Sequence, residues 1–394
     1  MSDAVHEAAQ ALAAETVATR RDFHRHPEIA FEETRTAGII ADKLQALNLD
    51  VKTGVGKTGV VAVLDTGKPG KTVLVRADID ALPVHEECET EYRSTLDGKM
   101  HACGHDGHAS VLLSTAKILS ERRDELAGKL VFVFQPAEEI VRGAQAMLDD
   151  GALDGVKPDH SIGLHLSSAH PAGTVAVRTG PAMAATDSFR ILVKGKGGHA
   201  ARPQDSIDPV VIAANLVTSL QSLVAREVDP VDQAVISMTS IQGGTAYNII
   251  PEAVELKGTL RTFSPHTREY LTERIKTVAK GVVETFRGEL DLEWRDGSPA
   301  VVNDAAMTER FRAVAHGVVG EGRVLIAPQI MGGDDMALWL ERAPGCYFFV
   351  GAGDEAKNTH YPHHHPKFDI DETVLPLAVE LLTKGALDFL KMEN

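Results

Sequence analysis

The sequence predicts an α/β protein, a largely parallel sheet flanked by helices, with a ferredoxin-like α+β module inserted into it. Three observations carry that expectation. Short apolar, β-rich runs repeatedly end in polar residues, helical patterns separate several of them, and the middle of the chain follows a different rhythm. At 394 residues the chain exceeds the roughly 250 to 300 at which a single core stops growing, so two domains are expected.

The runs VVAVL (60–64), TVLVRADID (72–80), KLVFVFQPAEE (129–139), HSIGLHL (160–166) and CYFFVGAG (346–353) have the length and composition of strands buried on both faces. Between them SVLLSTAKILSERRDEL (110–126) reads as a helix. Ligands in such sheets bind beyond the carboxyl ends of strands. Asp78, Asp80, Glu138, Glu139 and His165 all fall at or just after the end of a run.

In the middle, DSFRILVKGKGGH reads as a strand, followed by a helix over 209–226 with Val210, Ala213, Ala214, Val217, Leu220 and Val224 on its apolar face. Then come strands AVISMTSIQGG and AVELKGTLRTF, the helix TREYLTERIKTVAKGVVETF and a last strand, ELDLEWRDG. This β-α-β-β-α-β order is that of a ferredoxin-like module. Gly- and Pro-bearing stretches, RTGPAMAA (178–185) and RDGSPAVVND (295–304), bracket it. The expected division is a larger domain over 1–183 and 297–394 and an inserted one over 184–296.

A formal net charge of −16 argues against nucleic acid, whose binding needs a basic face. The start, MSDAVHEAAQ, lacks the basic and apolar regions of a signal peptide, and no stretch approaches the ~18 apolar residues of a membrane helix. A soluble, cytoplasmic protein without a membrane partner is expected. Cys88, Cys103 and Cys346 are odd in number and widely spread, which fits free thiols or a metal ligand better than a disulfide framework.

Chemistry concentrates in a few segments. MHACGHDGHAS (100–110) holds His101, Cys103, His105 and His108. Clustered histidines can simply cap a helix starting near Ser110, but a thiol and an imidazole two residues apart in a Gly-containing loop can also turn toward one divalent ion. A redox role would want a second cysteine nearby. In QPAEE (135–139) adjacent carboxylates can point in different directions, so that one binds metal and the other addresses a water. His165 adds a third region, and THYPHHHPKFDIDE (359–372) adds His360, His363, His364 and His365. Donors from four segments exceed the needs of one ion and match a pair, as in two-metal hydrolases.

RADIDALP, MHACGHDGH, QPAEE, GLHL, GGHAARP, YNIIPEAVELKGTLRTF, MGGDDMA and HHPKFDIDE, with HPEIAFEE near the start, stand in this order from about residue 20 to 390. The chain thereby resembles the aminoacylase/carboxypeptidase family of metallopeptidases, in the branch of hippurate hydrolases and plant auxin-conjugate (indoleacetyl-amino acid) amidohydrolases. The resemblance implies a catalytic α/β domain with a two-metal centre, and an inserted lid domain that mediates homodimerisation. It implies Cys103, His105, Glu139, His165 and His364 as metal ligands, with His363 as second choice for the tail ligand. Glu138 is then the general base and Asp80 an orienting partner of a ligand imidazole. His199 matches the histidine that stabilises the oxyanion, and Asn248 and Arg261 match positions that bind the substrate's carboxylate. The chain departs from many relatives in carrying Asp334 where they have glutamate.

The implied activity is hydrolysis of N-acyl amino acids to a carboxylic acid and a free amino acid. Two divalent ions, Zn2+ or Mn2+ with Co2+ or Ni2+ as further candidates, would serve it. A metallocarboxypeptidase acting on short peptides is the alternative within the hydrolases, and a non-catalytic metal-binding protein is the alternative outside them.

Overall fold

A computed structural model describes residues 2–392. The chain divides into two compact units. One comprises the residues up to Ala182, Val302–Pro328 and those from Asp334 onward; the other comprises Met183–Val301 and Gln329–Gly333.

The first unit is built on an eight-stranded sheet. Its spatial order is Asp50–Val55, Gly59–Asp65, Lys129–Gln135, Thr72–Asp78, His160–Pro171, Gly345–Gly353, Val175–Val177, Val324–Ile326. The central four strands run parallel. Asp50–Val55 and Gly59–Asp65 pair antiparallel, as do Gly59–Asp65 and Lys129–Gln135. The three residues between the first two strands can turn a hairpin but cannot make the long crossover that parallel pairing demands. Thr72–Asp78 is buried at every position, as the apolar run predicts. Helices His105–Glu121 and Leu375–Leu390 are buried along most of their length, and join the strands in one core with Phe132, Phe134, Phe311 and Phe348.

Element boundaries differ from the sequence reading in an instructive way. The runs 72–80 and 129–139 leave their strands at Asp78 and Gln135, so Asp80, Glu138 and Glu139 lie in the connections beyond. The helix expected to begin near Ser110 begins at His105. Gly104, at φ +88°, makes the turn into it, a conformation that costs glycine little. Only Cys103 of the expected pair therefore sits in the loop; His105 opens the helix.

In the second unit, Ala185–Lys194, Ala234–Gln242, Ala253–Thr262 and Glu289–Asp296 form an antiparallel sheet with Ala234–Gln242 and Glu289–Asp296 at its edges. Helices Pro209–Glu227 and Pro265–Thr285 complete a β-α-β-β-α-β order. The face assigned to the first helix needs correction. It buries Ile212, Ala213, Leu216, Leu220 and Leu223, whereas Val210 is about half exposed, at 47%. Its apolar arc is wide, running from Ile212 and Leu216 round to Val217 and Val210, so periodicity alone does not choose the centre of its inner side. It is also long and apolar enough by composition to cross a membrane, contrary to the expectation that no stretch approaches that limit, yet its inner face packs on this sheet.

Candidate metal centre

The carboxyl ends of the central strands and the connections after them gather the donors. Cys103 Sγ lies 3.6 Å from His165 Nε2 and 3.5 Å from His363 Nδ1. His105 Nε2 lies 3.8 Å from Glu139 Oε1, 3.8 Å from Asp78 Oδ2 and 4.0 Å from Glu138 Oε2. His364 Nε2 is 3.3 Å from Glu139 Oε2. Cys103 thus shares one group with His165 and His363 and another with Glu139 and His364. Both tail histidines reach the cluster, His363 on the thiol side and His364 on the carboxylate side.

Proton placement distinguishes ligands from supports. The Nδ1–H of His105 donates to Asp80, whose carbonyl oxygen is at 2.9 Å and Oδ1 at 3.2 Å, which turns the lone pair on Nε2 toward the carboxylates. His165 donates from Nδ1 to the Leu166 carbonyl at 2.7 Å, leaving Nε2 to face Cys103. His108 has both nitrogens engaged: Nδ1 donates to Asp78 Oδ1 at 2.6 Å, and Nε2 accepts the Leu166 N–H at 2.9 Å. It fixes Asp78 and the strand beside it. Asp106 turns the other way, to Arg20 and His24, each at 2.7 Å. His101 is buried with no hydrogen-bond partner for either nitrogen among the described residues, and burial pushes it down to about 3.

The residues present fit a pair of cations. His105 Nε2 and Glu139 Oε1 are buried and without a hydrogen-bond partner among the described residues, which is costly unless a ligand satisfies them. Thiol, imidazole and carboxylate together suit zinc-like metals. Electrostatics agree. Burial alone would lower the His105 imidazole, but Asp78 and Asp80 raise it to about 10. Burial, with Glu139 and Glu138, pushes the Cys103 thiol well up, a situation that a bound cation inverts. Burial, with Asp334, Glu139 and Asp335, likewise holds Glu138 well above the usual carboxylate range.

Some participants carried no role in the sequence reading. Arg76 is fully buried, donating to Asp78 Oδ2 at 2.7 Å and Asp335 Oδ1 at 3.0 Å, with Asp334 Oδ1 at 3.1 Å. Its single positive charge offsets part of the acidic cluster behind Glu138. The signal was available: a charge inside an otherwise apolar strand must be paired. Asp334 is buried, 2.6 Å from the Tyr347 hydroxyl, and grouped with Glu138 and Asp335. The shorter side chain thus still contributes a carboxylate beside Glu138. His360 and His365 instead stack on either side of Tyr361.

His199, Asn248 and Arg261 belong to the second unit. His199 is exposed on the short strand Gly198–His199, paired with Ile249–Ile250. Its Nδ1 accepts the Ala201 N–H at 3.0 Å, so the ring proton sits on Nε2. Both His199 and Asn248 line a cavity of about 370 Å³. Arg261 is half-buried on Ala253–Thr262; burial lowers its pKa, opposed by Asp187.

A family model described as "Peptidase family M20/M25/M40" matches residues 74–388. The chain is 38% identical over 370 residues to N-acetylcysteine deacetylase of Bacillus subtilis, covering 93% of this chain and 95% of that protein. It is 39% identical over 379 residues to IAA-amino acid hydrolase ILR1-like 2 of Arabidopsis thaliana, covering 95% and 85%. A solved Bacillus subtilis structure described as a dinuclear metal binding peptidase from the M20 family superposes with a TM-score of 0.82 at 34% identity, covering 98% of this chain and all of that one.

Proposed function

The chain belongs to peptidase family M20/M25/M40, and on that premise we propose that it hydrolyses N-acyl amino acids to a carboxylic acid and a free amino acid. The observation that carries this reading is the convergence of Cys103, His105, Glu139, His165 and His364 beside a second, buried carboxylate, Glu138. Names of relatives support the substrate class, since one is described as an N-acetylcysteine deacetylase and another as an IAA-amino acid hydrolase.

Cys103, His105, Glu139, His165 and His364 hold two divalent cations, zinc or manganese by donor type, with cobalt or nickel also compatible. When bound, the ions supply Lewis-acid polarisation of the amide carbonyl and bring the pKa of water down to about 7. Glu138 takes a proton from the attacking water and passes it to the amide nitrogen as the C–N bond breaks. Asp80 keeps His105 in the ligand tautomer. His199, with its proton on Nε2, donates to the carbonyl oxygen as charge develops there. Asn248 and Arg261 bind the carboxylate of the amino-acid portion.

We include in the proposal a homodimer through the inserted domain. It is supported by the exposed Val210 and Val211 on helix Pro209–Glu227 and by Ile241 on the edge strand Ala234–Gln242. The free thiols of Cys88 and Cys346 support a reducing, cytoplasmic setting.

The test is a panel of benzoyl-glycine, acetyl amino acids and dipeptides, run before and after chelation and after re-addition of zinc or manganese. Turnover of the N-acyl amino acids, lost on chelation and restored by metal, is expected. Turnover of dipeptides alone would favour the peptidase reading, which the family's description supports. Stoichiometric metal without cleavage of any amide would favour a binding protein.

A further inference from the structure

We propose that Glu33, which closes the HPEIAFEE segment, is a positioning residue that holds the Glu138–Glu139 turn in working order by clamping the amide of Ala137. The inference rests on the reading that Glu138 moves the proton and Glu139 holds a cation.

Ala137, directly before the two glutamates, has φ +52°, in the left-handed region that residues with a Cβ seldom adopt. It is fully buried, and its carbonyl oxygen accepts the N–H groups of Arg142 at 3.2 Å and Gly143 at 3.1 Å. The turn is tight enough that a Cβ at Gly143 would lie 1.5 Å from the Pro136 carbonyl oxygen. Strained backbone of this kind persists only where its surroundings over-determine it. Two carboxylates do so here. Glu33 Oε1 accepts the Ala137 N–H at 2.9 Å, and Asp80 Oδ2 accepts the Glu139 N–H at 3.0 Å. Asp80 also orients His105, so its place follows from the metal centre. Glu33 comes from a different part of the chain and touches no metal ligand in these hydrogen bonds.

Its own position is fixed as well. The carboxylate has no solvent exposure, and Oε2 accepts the Thr58 hydroxyl at 2.5 Å. Burial pushes it up to about 6. Without Glu33 the Ala137 N–H would be left buried and unpaired, the situation that native structures avoid. Aspartate, one methylene shorter, cannot span both partners. Glutamine can, because its amide oxygen accepts from Ala137 while its NH2 donates to a rotated Thr58 hydroxyl.

The experiment compares E33A, E33D, E33Q and the double variant E33A/A137G with the unaltered full-length protein. It reads kcat, KM and the affinity for Zn2+ by calorimetry after chelation. For E33A and E33D, kcat should fall about 10- to 100-fold, the scale of a small displacement of reacting groups. KM should stay within about threefold, and Zn2+ affinity should drop about tenfold through Glu139. E33Q should stay within about threefold of the unaltered protein in both readouts. Glycine at 137 takes positive φ unaided, so A137G should return part of what E33A loses. Unchanged kcat and Zn2+ affinity in E33D, or a loss as large in E33Q and unrelieved by A137G, would overturn the proposal. Should E33A fail to fold, E33D against E33Q decides. If the unaltered protein cleaves no N-acyl amino acid, the proposed function fails, while the Zn2+ affinities still judge Glu33.

Discussion

The imidazoles of the first unit's centre and the imidazole of His199 in the second unit are set in opposite senses. His105 and His165 spend the Nδ1 proton on oxygen acceptors and turn a lone pair inward. His199 accepts a backbone N–H at Nδ1 and turns a proton outward. One arrangement offers a lone pair and the other a proton, from the same side chain, by the choice of partner at the second nitrogen. The settings differ too. In the centre His105, His165 and Glu138 are buried, whereas His199 is exposed and held by a two-residue ladder. A buried site of fixed dipoles is suited to reaction chemistry, and an exposed donor is suited to meeting a substrate.

The sharpest way to break that comparison is E138Q. It removes the proposed proton carrier but leaves every proposed cation donor, so turnover should fall by roughly two to four orders of magnitude with metal content intact. Metal analysis beside steady-state kinetics checks both halves, and near-normal turnover would remove Glu138 from its role. H199A comes next, with an expected loss of about a hundredfold in kcat and no change in metal content or melting temperature, because the residue is exposed. Loss of metal from that variant would erase the distinction between ligand and donor histidines.

The smallest expected effect concerns the centre's outer support. Glu33 ionises at about 6 in the folded protein against an ordinary 4.5, because of burial, with Asp80 as the charged neighbour adding to it and the Thr58 and Ala137 hydrogen bonds opposing it. A raised carboxyl favours folding below pH 4.5, and that contribution is lost as pH rises through about 6. E33Q lacks the titration. Its stability relative to the unaltered protein should therefore improve by about 2 kcal/mol between these pH values and then level off, as urea unfolding across the range would show. A difference flat in pH would mean that Glu33 does not titrate in this window.

Much of the fold was legible in the sequence because fully buried strands leave long apolar runs: Thr72–Asp78 and Lys129–Gln135 follow from composition alone. The inward face of helix Pro209–Glu227 was not fully legible, since its apolar arc is wide and only packing on the sheet selects Ile212 and Leu216 over Val210. Nor was the antiparallel attachment of the first strands, which depends on pairing rather than on residue type.

The sequence by itself determined the donor types and their grouping into segments, because thiol, imidazole and carboxylate chemistry is a property of each side chain wherever it lies. Only the tertiary structure decided which of the clustered histidines offers a lone pair, why His108 supports rather than faces the centre, and that Glu33 stands over Ala137 more than one hundred positions away. Those outcomes depend on which partner occupies the second nitrogen or the far oxygen. Hydrogen bonds between distant segments exist only once the chain has closed around them.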